Sequence, residues 1–195
     1  MALAFVFLTA AMLLDFSEPL PENGWRILKA ELERTEITTL PKESTRWVKR
    51  EQFYQDMQAG EIFQVHLKGE CGAGMDALEQ PTPGPLGWVY QVDGRILPFV
   101  FVDCDRIARA LWPELRGRTP AERRQKMARA ISRVVTHELT HIVTQDPGHL
   151  PAGVQKAHLR PDELLEAWPR ATLVAAHGKN TSPARECQAH PPFGP

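Results

Sequence analysis

The stretch that decides the reading runs from Thr119 to Val154, TPAERRQKMARAISRVVTHELTHIVTQDPGHLPAGV. Thr119 is a good helix N-cap, Pro120 suits the first helical position, and Glu122 completes a capping box. Apolar residues then recur at Met127, Ile131, Val134, Val135, Leu139, Ile142 and Val143. This is the i, i+3, i+4, i+7 spacing of one buried stripe. Asp146-Pro147-Gly148 stops the helix. The boundaries predict about 25 residues of helix, long against a usual average of about 11–12.

Upstream, WVYQVDGRILPFVFVDC (88–104) places two apolar runs on either side of Asp93-Gly94, a strong signal for a tight β-hairpin. Its second arm, Ile96 to Cys104, contains Pro98, which has no N–H for a ladder, so this arm is expected either at a sheet edge or starting out of register there. DRIARALWPEL reads as a short helix after it, IFQVHL (62–67) as a strand, and the Gly/Pro-rich segment between Lys68 and Gly87 as a loop. GWRILKAELERTEITTL (24–40) reads as a short amphipathic helix passing into a strand at 37–40, and VKREQFYQDMQAGE (48–61) as another short helix ended by Gly60.

The chain has 195 residues, 43% hydrophobic and 24% charged, which suits one soluble domain with a core of its own. Its 23 basic and 24 acidic residues nearly cancel, giving no reason to expect nucleic acid or an anionic membrane as partner. The cysteines, Cys71, Cys104 and Cys187, lack the spacing of a structural metal site; Cys71 and Cys104 could pair or stay free. Met1 to Leu14 is apolar apart from Thr9 and too short to span a bilayer as a helix. It has the length of a signal-peptide core but no positive leading region, so it reads either as an export signal or as a buried N-terminal element. Export would place the protein in the periplasm, cell envelope or exterior.

On the long helix His137 and His141 stand one turn apart and project from the same face. Such a rigid pair supplies two of the nitrogens that a zinc ion needs at about 2.0–2.1 Å. Glu138 is displaced by about 100° around the helix. It can therefore take a proton from a metal-activated water without being a ligand. This is the physical content of the His-Glu-x-x-His pattern, written here HELTH. His149, the first metal-competent side chain after the Pro-Gly turn, is the favoured third ligand. Asp162, Glu163 and Glu166, on a further expected helix, are the alternatives. Tyr54, Tyr90 and His158 are possible helpers at a developing oxyanion, while His66, His177 and His190 read as structural or exposed.

The helix RVVTHELTH resembles the active-site helix of the zincin metallopeptidases, and the loop histidine followed by AGV is similar to the metzincin branch. The metzincin pattern has Gly and His where this chain has Thr144 and Pro147, and a methionine turn where Gln155 stands. A nearer likeness, over about residues 60 to 165, is to small uncharacterised bacterial zincin-like proteins, which share GECGAG, the hairpin and GHLPAGV. The resemblance implies an α+β fold, with a small mixed β-sheet packed on the long active-site helix and further short helices. It also implies a sheet edge strand, here one hairpin arm, that pairs with an extended substrate.

The expected organisation is residues 1–20 as signal peptide or apolar segment, 21–170 as the zincin-like domain, and 171–195 as a loose tail. The expected function is a monomeric Zn²⁺ metallopeptidase acting on peptide or protein, with Glu138 as general base and His137, His141 and His149 on the metal. The alternative is an inactive zinc-binding interaction module of the cell envelope.

Overall fold

The computed structural model describes residues 10–17, 20–34, 45–50, 61–71 and 84–166. Five strands form one mixed sheet: β1 (Ala10–Phe16), β2 (Thr45–Lys49), β3 (Glu61–Lys68), β4 (Gly87–Val92) and β5 (Arg95–Asp103). Their order is β2-β1-β3-β5-β4. β1 pairs parallel with β2 and β3, β3 parallel with β5, and only β4 runs antiparallel, against β5. The helices are α1 (Glu22–Arg34), α2 (Cys104–Ala110), α3 (Trp112–Leu115), α4 (Pro120–Thr144) and α5 (Pro161–Leu165). The α+β class, with a mixed sheet on one long helix, is the one expected.

α4 has 25 residues and the expected capping box: Thr119 Oγ1 accepts from the Glu122 N–H, and Glu122 Oε2 accepts from the Thr119 N–H. Its stripe of Met127, Ile131, Val134, Val135, Leu139 and Ile142 is buried. It meets alternate residues of the strands, Met12 and Leu14, Phe63, Val65 and Leu67, Val100 and Val102, in one core. The period of two along each strand sends the intervening residues to the other face. There Trp88, Phe101 and His66 stack in a row, with ring centroids 5.5 and 4.8 Å apart. α1 adds Trp25, Leu28 and Leu32 to the core. Its buried Glu31 is joined by Arg34 at 2.7 Å, by Gln125 and by Arg129 at 3.8 Å, so a carboxylate removed from water remains paired.

Three expectations are narrowed or revised. Of the two readings of the Ile96 to Cys104 arm, the edge fails, because β5 lies between β3 and β4, and the start out of register at Pro98 holds. Pro98 is tolerated because it falls in a register irregularity, between the partners Ile96 and Val100, and because pairing with β3 starts only at Phe99. Val48 and Lys49, read as the start of a helix, end β2; the rest of that helix (51–60) and the strand at 37–40 lie outside the described residues. Within the apolar N-terminus, Ala10–Phe16 is a strand flanked on both sides, with Met12 and Leu14 fully buried. A cut after Leu14 would remove most of it. Residues 171–195 also lie outside the described residues.

The hairpin turn is as expected, with Asp93 at φ 50 and Gly94 at φ 77, the left-handed pair that a two-residue turn requires. Cys71 and Cys104 form a disulfide, with Cα atoms 4.9 Å apart. It ties the end of β3 to the start of α2, a closure worth roughly 2–4 kcal/mol. Among the described residues, no helix is long and apolar enough to cross a membrane.

Candidate metal centre

α4 delivers His137 and His141 on one face with their Nε2 atoms 3.1 Å apart. His149 arrives from the loop after the helix, its ring centroid 5.2 Å from that of His137 and 4.9 Å from that of His141. Local bonds return the chain there. Gln145 leaves the helix with φ 53, Asp146 Oδ1 accepts from the Gly148 N–H at 2.8 Å, and the Leu150 N–H donates to Gln155 O at 2.9 Å. One ligand atom from each histidine lies within 4.8 Å of the others, and no other such group occurs among the described residues.

The opposite ring nitrogens show how the rings are held. His137 Nδ1 is 2.6 Å from Val154 O, and His141 Nδ1 is 2.6 Å from Asp146 O. A carbonyl oxygen can only accept, so each Nδ1 carries the hydrogen and each Nε2 presents a lone pair. Two lone pairs that close repel unless a cation lies between them. A tetrahedral ion with nitrogens at about 2.0–2.1 Å holds them roughly 3.3 Å apart, close to the spacing found here. The carbonyls stand where outer partners of metal-bound histidines usually stand. The donor set therefore fits a metal, and this cluster could bind one.

Burial pushes the His137 imidazole down to about 4, more than the bond from Val154 O raises it. Burial also lowers His149, with the charges of His141 and His158 adding to the effect and Asp146 opposing it. A low pKa keeps imidazole neutral and free to bind a cation.

Glu138 is 6% exposed, and burial alone pushes its carboxyl up to about 8. Among the described residues no hydrogen bond or charge meets it. It packs beneath the first residue of β4: a Cβ placed on Gly87 would stand 2.5 Å from Val134 Cγ1 and 3.0 Å from Glu138 Oε1. Glycine is what lets this edge strand approach the helix. Gly87→Ala is expected to cost about 1–3 kcal/mol and to displace β4 from Glu138. Denaturant unfolding alongside turnover would check this, and an unchanged midpoint would contradict the close approach.

His137 and Glu138 pull the stability of the metal-free chain in opposite directions. Between 6.5 and about 4 the unfolded chain takes up a proton that folded His137 refuses, so stability falls as pH drops through that window. Between 4.5 and about 8 folded Glu138 keeps a proton that the unfolded chain loses, so stability falls as pH rises through that one. In chelator-treated protein, Glu138→Gln should therefore raise Tm at pH 8 and barely change it at pH 4.5. Each kcal/mol recovered should appear as roughly 2–4 °C. Equal shifts at both pH values would contradict the assignment.

The other sequence candidates lie elsewhere. Glu163 pairs with Lys156 and accepts from the Arg160 N–H at 2.8 Å, capping α5. Asp162 is engaged by Arg160 at 2.9 and 3.1 Å, and the Glu166 carbonyl accepts from Arg133 at 2.7 Å. None of the three carboxylates joins the histidines. His158 is outside the cluster but near enough for its charge to act on His149. Tyr90 packs edge-on to Phe101 at 5.1 Å, on the sheet face away from α4. His66 is structural, stacked on Phe101 and 3.2 Å from Asp15. Tyr54, His177 and His190 lie outside the described residues.

Sequence reasoning passed over Gly87, Gln145 and the carbonyls of Asp146 and Val154. One signal was available: Gln at a helix end where Gly or Asn is usual. Compared with protein-family models, curated proteins and solved structures, the chain gives no match.

Proposed function

We propose that the chain is a zinc-dependent peptidase of the zincin type. The observation that carries this reading is the pair of Nδ1–carbonyl bonds that aim His137 and His141 at one point shared with His149, beside a buried carboxyl with no polar partner among the described residues. Three imidazoles suit Zn²⁺, and three protein ligands leave the open position of a catalytic site. Zinc held there would supply a Lewis acid that lowers the pKa of water and polarises a carbonyl.

The rest is the work of the chain's own residues. With zinc held by the histidines, the pKa of the Glu138 carboxyl would fall from its raised value, and the group would ionise and accept a proton from water. Glu138 then returns that proton to the leaving amine, and no covalent intermediate is required. An extended peptide would pair with the outer edge of β4, which no described strand covers, bringing its backbone across Gly87 and Glu138. A site that only clamps the fold needs no carboxyl at this place, which weighs against an inactive zinc-binding module. The disulfide favours an oxidising compartment, which supports a location outside the cytoplasm. Any leader would have to be cut before Ala10 for β1 to survive.

The test is hydrolysis of a mixed pool of quenched fluorescent peptides by zinc-loaded protein. Activity should vanish with a chelator and return with zinc. Protein that holds zinc yet cleaves nothing in the pool would defeat the peptidase reading and leave the interaction module.

A further inference from the structure

α4 ends on a residue poorly suited to its backbone. Gln145 has φ 53, in the left-handed region, where glycine sits without strain. Its side chain compensates. Oε1 accepts from the Ile96 N–H at 3.0 Å, and Nε2 donates to Ile96 O at 3.0 Å and to Ile142 O at 2.7 Å. Ile96 is buried and belongs to the part of β5 that precedes its pairing with β3 at Phe99. The Gln145 amide thus takes the place of a missing strand, meeting both backbone groups of Ile96 as a neighbouring strand would. In doing so it fastens the end of α4 to the sheet.

The next few residues of the chain give that fastening a purpose. Asp146 offers its carbonyl to His141 Nδ1 and its carboxylate to the Gly148 N–H, and His149 comes directly after. We propose that Gln145 is a positioning residue for the metal centre: by clamping to Ile96 it sets the start of the loop and so the place of the His149 ligand. The inference rests on the metal site described above. It does not depend on peptidase activity.

Zinc affinity, measured by competition with a chromophoric chelator, tests it without any turnover assay. Gln145→Gly keeps the left-handed turn at no steric cost and loses only the amide, so a mere helix stop would leave affinity unchanged. A positioning role predicts a loss of roughly 10–100-fold, the usual effect of removing an outer partner of a metal ligand. Gln145→Asn, which also tolerates the turn but is one methylene too short to span to Ile96, should lose affinity to a similar degree. It provides the reading if the glycine variant fails to fold. In a His149→Ala background Gln145→Gly should have little further effect, because the ligand it places is gone. With Co²⁺ in place of zinc, the four-coordinate visible bands should weaken in both Gln145 variants. Wild-type affinity in the folded variants, or an equal loss with and without His149, would overturn the proposal. A wild-type chain that binds no zinc would defeat the metal centre itself, and one that binds zinc but cleaves nothing would defeat only the peptidase reading.

Discussion

Glu138→Gln is expected to lower peptide hydrolysis by about 10²–10⁴-fold, the range that a positioned general base contributes, while zinc stays near one per chain. Gln preserves the volume beneath Gly87, so the packing of β4 on α4 should survive. What disappears is the acceptor for the proton. The carboxyl is 6% exposed, so bulk solvent is poorly placed to substitute for it. Turnover and metal content must be read on the same preparation. If zinc is lost together with activity, Glu138 is a ligand or a prop of the site, and its role as general base fails.

The second large effect belongs to His149. His149→Ala should weaken zinc binding by more than the roughly 10–100-fold typical of outer partners, since it removes a ligand outright. Glu163→Ala and Glu166→Ala should leave affinity nearly unchanged. Glu163 is occupied by Lys156 and by the first turn of α5, so its loss should loosen that helix instead. Glu166 is held through its backbone carbonyl by Arg133, a bond that alanine retains. Equilibrium zinc titration of the three variants against wild type decides. The reverse ranking would move the third ligand onto α5 and reduce the approach of His149 to a packing contact.

The parts of the fold that depend on local chemistry could be read from the sequence. The cap at Thr119, the stripe from Met127 to Ile142 and the pair His137 and His141 all lie within one helix, and the helical period alone relates them. The Asp93-Gly94 turn is equally local. What could not be read depends on distant partners. β1 is an apolar run whose character as a strand comes from β2 and β3, and without them it has the composition of a leader. Pro98 left open an edge or a start out of register, and the choice between them lies in the pairing with β3 and β4, where the register irregularity and the late start are found. The choice between His149 and the α5 carboxylates rested on where the loop goes. The backbone of one glutamine and the cap of α5 settle that direction, and neither has a sequence pattern strong enough to stand alone.

The parallel pairing of the first strand also bears on how fast the protein folds. β1 forms no pair with its near neighbours in the chain: Ala10 meets Thr45, and Asp15 meets His66, 51 residues away. β3 then pairs parallel with β5, across another long connection. Each of these pairings requires a loop to close before any ladder bond rewards it, and such non-local contacts belong to the slow, millisecond-to-second end of folding. α4 can wind in about a microsecond on its own, but its apolar stripe has no surface to lie on until those strands have met. The step that limits folding is thus expected to lie in the encounter of the N-terminal strand with its partners, far along the chain from the histidines.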